Sequence, residues 1–165
     1  MEGSLNIKSA AEIAIMREAG RINAEALEAA KAAIAPGVTT AELNEVVEAV
    51  QRRYGVYSPF KNYPGPYPFP ASICASVNEE MVHGIPDKRK LQEGDIISID
   101  CGTVYQGFVG DSAFTVGVGE ISSQAQRLIE VTKQALDAGI AQMGPGNHPG
   151  DIGAAVESRV LKHGF

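Results

Sequence analysis

The chain has 165 residues, 44% of them hydrophobic and 21% charged, with 20 acidic against 14 basic side chains and a net charge of −6. That balance excludes wholesale disorder, and the acidic excess makes a phosphate backbone a poor partner, so no nucleic acid is expected. No basic and then apolar leader stands in the first eight residues, and no apolar run nears the ~18 residues of a membrane span, so a cytoplasmic chain without a membrane is expected.

Ser9-Ala-Ala-Glu12 has the spacing of a capping box and opens an Ala-rich helix predicted to run to about Ala35, ahead of Pro36-Gly37. Thr39-Thr-Ala-Glu42 is a second box. Leu43, Val46, Val47, Val50 and Tyr54 follow helical spacing, and Gly55 stands where a terminating glycine belongs. Tyr63-Pro-Gly-Pro-Tyr-Pro-Phe-Pro70 can be neither regular helix nor central strand. It is either a plain connection or the wall of a site. Four extended segments are predicted next: Ser72–Val77, Val82–Ile85, Asp95–Tyr105 and Phe108–Val118. Ser123-Gln-Ala-Gln126 reads as a third capping box for a helix to about Met143, and a last helix covers roughly Pro149–Lys162. The predicted order is ααββββαα.

Residues 26–55 lie on residues 135–164 without a gap. Ala26, Leu27, Pro36, Gly37, Val47, Glu48 and Gly55 meet Ala135, Leu136, Pro145, Gly146, Val156, Glu157 and Gly164. Either two Ala-rich helix pairs agree by composition, or the chain contains a repeat. The repeat reading makes residues 1–165 a single incomplete domain. Its first unit covers about 10–120, and the second, about 121–165, holds only its helices. The expected fold class is then α+β.

Chemistry concentrates in Asp95–Asp111. Asp100 sits inside an apolar strand, a costly place for a carboxylate without a cation or donors. With Gln106-Gly107 as a two-residue hairpin turn, Gly102 pairs with Asp111. Asp100 and Asp111 then become diagonal neighbours on one face, with Cα atoms roughly 7–8 Å apart. Gly102, opposite Asp111, leaves space there. Such a pair can bracket divalent metal; equally, each Asp can serve a strand end or a turn. His83, in Met-Val-His-Gly-Ile-Pro, could ligate or donate to a carbonyl, or be structural. His148 and His163 read as surface residues at helix ends. Cys74 and Cys101 lack basic neighbours and form no metal pair, so both read as small buried hydrophobes.

Three stretches carry a resemblance to a known family: Phe69–Pro86, Leu91–Asp100 and Gly107-Phe-Val-Gly-Asp111. As a set they resemble the short, bacterial-type methionine aminopeptidases over essentially the whole chain. The resemblance implies the pita-bread fold, two related αβ halves around a centre of two divalent metal ions (Co, Mn, Fe or Zn). It implies removal of the initiator methionine from a nascent-protein N-terminus, with the ribosome as a partner. Asp100 and Asp111 would be metal ligands, Asp111 bridging. His83 would be the catalytic histidine that contacts the substrate. Phe69, Cys74 and Tyr67 would line the pocket for the methionine side chain. The family's other ligands, a His and two Glu, would lie beyond Phe165, so this chain by itself is expected to bind metal weakly and turn over little. A catalytically silent relative acting as a binding module, and an Xaa-Pro aminopeptidase, are the alternatives. The retained Asp pair speaks against the first, and Phe69 and Cys74 against the second.

Overall fold

The computed structural model describes residues 6–165; the N-terminal reading above lies, as far as Leu5, outside them. The chain divides into two compact units, residues 1–119 and 120–165.

The first unit opens with α1 (Ala10–Ala33) and α2 (Thr40–Tyr54). Both start at the expected capping boxes. Ser9 and Thr39 accept the N–H of Glu12 and Glu42, whose carboxylates accept the Ser9 and Thr39 N–H groups at 2.7 Å. The first helix stops two residues short of the predicted Ala35. Ala35 precedes proline and is barred from helical backbone, and the chain already leaves at Ile34, whose ψ is 117°. The second helix ends at Gly55, whose φ of 66° is the left-handed conformation that favours glycine. Leu43, Val47 and Val50 are buried along one stripe, but Val46 is half-buried and Tyr54 exposed at its edge.

Three strands follow, β1 (Ile73–Val77), β2 (Ile96–Tyr105) and β3 (Phe108–Gly117), in an antiparallel sheet ordered β1-β2-β3. The predicted strand at Val82–Ile85 is not formed. His83 has φ 59°, which breaks extended backbone, and Gly84 makes an isolated bond, its carbonyl accepting the Ala75 N–H at 2.8 Å.

Strand alternation sorts the sheet into two faces. Ile73, Ala75, Val77, Ile97, Ile99 and Cys101 face α1 and α2, closing a core with Ala26, Leu27, Ala30, Leu43, Val47, Val50 and Leu91. Each large apolar side chain fully buried there, such as Ile97 or Leu43, contributes about 1.5–3 kcal/mol. Cys74, Asp100 and Gly102 lie on the opposite face, which the helices leave free for chemistry.

The second unit is a helix pair, α3 (Ser123–Ile140) and α4 (Pro149–Lys162). Ser122, not Ser123, caps α3: its hydroxyl accepts the Ala125 N–H at 3.1 Å, so the third box, spaced from Ser123, is not formed. Gly139 lets the helices approach, since a Cβ there would lie 3.0 Å from Val156 Cγ2. The 109-residue offset links like conformations. Gly37 and Gly146 have φ 91° and 93°, Gly55 and Gly164 have φ 66° and 79°, and the starts of α2 and α4 coincide.

Candidate metal and substrate site

The hairpin forms as its turn residues dictate. Tyr105 pairs with Phe108 and Gly102 with Asp111, while Asp100 pairs with Cys74 on one side and Ala113 on the other. Asp100 and Asp111 therefore share the face away from the helices. Asp100 is held above the ordinary carboxylate range, first by burial and then by the neighbouring charge of Asp111. His83 and the Cys101 N–H pull weakly the other way, which places the imidazole within electrostatic reach of the pair.

Above the pair lies a cleft of about 490 Å³. Phe69, Cys74, His83, Asp100 and Asp111, all singled out in the sequence, line it together. Cys74 is buried, and its thiol is pushed up to about 11 by burial and by the two carboxylates; burial pushes Cys101 up to about 12. Neither is a reactive thiolate.

Tyr67 is not brought to the cleft. Its side chain is 88% exposed, and Tyr63 lines the wall instead. The reason is a closed loop: the Asn62 N–H donates to the Phe69 carbonyl at 2.8 Å and the Phe69 N–H to the Tyr63 carbonyl at 3.2 Å. That closure puts Tyr63 and Phe69 at the base and Tyr67 at the tip. Phe60 and Ile85 also line the cleft and were not singled out. Nor is the space beside Gly102 empty. A Cβ there would lie 2.7 Å from Pro59 and 3.0 Å from Phe60, so the glycine seats these two rings. A small residue opposite Asp111 was the available signal for Phe60.

His83 is exposed and held in left-handed backbone by its successor. Gly84 donates to Ser76 Oγ at 3.1 Å, and its missing Cβ lets it lie against β1. His148 is an exposed residue before α4, as expected. His163 is half-buried rather than superficial, with Nε2 shielded and unpaired.

Two facing carboxylates, one resisting ionisation first because of burial and then because of the other's charge, fit as donors to a hard divalent cation, which would offset that repulsion. They supply only part of a ligand set, and among the described residues no group of three or more His, Cys, Asp or Glu could hold a metal ion. Also among them, no helix is long and apolar enough to cross a membrane.

Comparison with known proteins agrees with this geometry. The methionine aminopeptidase of Clostridium acetobutylicum is 46% identical over 160 residues, 96% of this chain and 63% of the relative. Methionine aminopeptidase 1 of Bacillus subtilis is 45% identical over 96% of this chain and 62% of its own length. The crystal structure of methionine aminopeptidase from Rickettsia prowazekii superposes with a TM-score of 0.92 at 36% identity, over 96% of this chain and 63% of that one. The prolidase of Pyrococcus horikoshii shares the fold alone, with a TM-score of 0.83 at 21% identity over 96% of this chain and 44% of its own. The chain thus spans about 63% of the length of the curated relatives it matches, and the α+β arrangement of four helices and three strands among the described residues is part of the pita-bread fold. The model of metallopeptidase family M24 matches residues 14–165, nearly the whole chain, and the chain belongs to that family.

Proposed function

We propose that residues 60–111 form part of the active site of a methionine aminopeptidase that removes the initiator methionine from nascent proteins in the cytoplasm, at the ribosome. The observation that carries this reading is the Asp100–Asp111 pair on the floor of a cleft walled by Phe60, Tyr63, Phe69, Cys74 and Ile85, in a chain 46% identical to a methionine aminopeptidase.

Asp100 and Asp111 would contribute ligands to two divalent metal ions, which when bound would supply Lewis-acid promotion of peptide hydrolysis. The family resemblance assigns the remaining ligands, a His and two Glu, to sequence outside these 165 residues. The aromatic and thiol wall takes an unbranched apolar side chain and excludes water from it. His83 donates a hydrogen bond to the scissile amide and strengthens it as charge develops.

The gene product that carries this chain, loaded with Mn²⁺ or Co²⁺, should release methionine from Met-Ala-Ser and spare Leu-Ala-Ser. Asp111→Asn should abolish turnover. His83→Ala should lower kcat by about 10²–10³-fold, as loss of a transition-state donor does, with little change in KM. The 165-residue chain by itself should release little or no methionine. A wild-type rate in Asp111→Asn, or release of Xaa from Xaa-Pro peptides instead, would refute the reading.

A further inference from the structure

Asp111 is gripped from the far side of the sheet, and the grip comes from α1. Its chain neighbours Gly110 and Ser112 point to the helix layer while Asp111 points to the cleft. At Gly110 an added Cβ would lie 2.6 Å from the Gly20 nitrogen and 2.7 Å from the Ala19 carbonyl carbon, so helix backbone rests directly on the strand. At Ser112 the hydroxyl accepts from Asn23 Nδ2 at 2.9 Å. The same amide accepts, through Oδ1, the hydroxyl of Thr103 at 2.9 Å, and Thr103 pairs with Gly110 in the β2–β3 register. Gln51 of α2 donates to the carbonyl of Gly102, the residue opposite Asp111, at 3.0 Å.

Asn23 and Thr103 are fully buried and Gln51 is 3% exposed. Packing does not call for amides here, since an apolar side chain of similar size fills the same layer without a desolvation penalty. What the amide of Asn23 adds is direction. It donates to β3 and accepts from β2 beside the Gly102–Asp111 rung, and so opposes sliding of one strand on the other. A slip of one residue would turn Asp111 into the helix layer. A smaller shift would change the spacing of the two carboxylates.

We propose that Asn23, acting through Ser112 and Thr103, is a positioning residue that sets the separation of Asp100 and Asp111 and thereby their joint affinity for a divalent cation. This rests on the reading of that pair as metal donors, so the test separates the two. The ¹⁵N-labelled gene product that carries this chain is titrated with Mn²⁺ alone, and broadening of the Asp100 and Asp111 amide signals is followed. Outer-layer partners of ligands are typically worth 10–100-fold in metal affinity. Asn23→Leu and Ser112→Ala should therefore each need about tenfold more Mn²⁺, Ser112→Thr should match the wild type, and the double variant should be no weaker than Asn23→Leu. A second readout needs no metal: Asn23→Leu should bring microsecond-to-millisecond exchange to residues 110–113 and leave β1 quiet. Unchanged Mn²⁺ titration together with quiet 110–113 signals in a folded Asn23→Leu variant overturns the proposal. Exchange confined to 110–113 in a chain whose wild type shows no Mn²⁺ broadening supports the positioning and refutes the metal reading.

Discussion

The tightest steric constraint near the cleft is at Gly84, and Gly84→Ala tests whether that packing holds His83. A Cβ at this position would lie 2.3 Å from the Ala75 carbonyl oxygen, 2.8 Å from its carbon and 2.9 Å from Ser76 Cα. All three atoms are backbone of β1, a strand buried along its length, so they cannot step aside. If segment 81–87 stays docked, overpacking costs about 1–3 kcal/mol. If it lifts away, the Ala75–Gly84 bond at 2.8 Å and the Gly84–Ser76 bond at 3.1 Å are lost, at about 1 kcal/mol each. Lifting limits the loss to about 2 kcal/mol, below the upper end of the overpacking cost, and it carries His83 off the cleft. Urea unfolding at 25 °C should show that modest loss. The imidazole signals of His83 should shift toward those of a mobile histidine, with His148 as the exposed reference in the same spectrum. A variant with wild-type stability and unshifted His83 signals would show that Gly84 does not hold the histidine.

Other predictions follow from single groups. Asp100 has a raised folded-state pKa, so the stability it contributes is present below the ordinary carboxylate value of about 4 and is lost as pH rises through the folded value. In metal-free protein, Asp111→Asn should flatten that fall in the urea midpoint as pH rises above about 4; an unchanged slope would contradict the coupling. Cys74, pushed up to about 11, should react with iodoacetamide at pH 7.5 at least about 100-fold more slowly than a free thiol of pKa near 8.5. A rate within a few-fold of free cysteine would contradict its burial. Thr39→Ala removes the hydroxyl that accepts the Glu42 N–H and should cost about 1 kcal/mol, within the usual range for a lost helix cap; unchanged urea stability would mean that the cap contributes nothing.

Local signals were the readable ones. The boxes at Ser9 and Thr39 and the glycine at position 55 act within four residues of themselves, and each sits where its chemistry placed it. The Gln106-Gly107 turn sets the register of the whole hairpin, which is why the shared face of Asp100 and Asp111 could be derived by counting. What sequence hid is non-local. Val82–Ile85 has strand composition, but the left-handed His83 and the packing of Gly84 on β1 override it. Ser122 and Ser123 are equivalent as caps until the helix start decides between them. Tyr63 and Tyr67 look interchangeable in the Pro-rich loop until its closing bonds put one at the base. The Asn23 network joins residues 80 and 89 positions apart, and no spacing rule reaches that far.

The account stands on Asp100 and Asp111 acting together on a metal. The direct measurement is a Mn²⁺ anomalous difference map from crystals of the gene product that carries this chain. The predicted result is metal density between the two carboxylates, with Asp111 shared between two ions and His83 beside them but off the metal. Density held by His83 without Asp111, or a metal bound elsewhere with the carboxylate pair bare, would contradict the account.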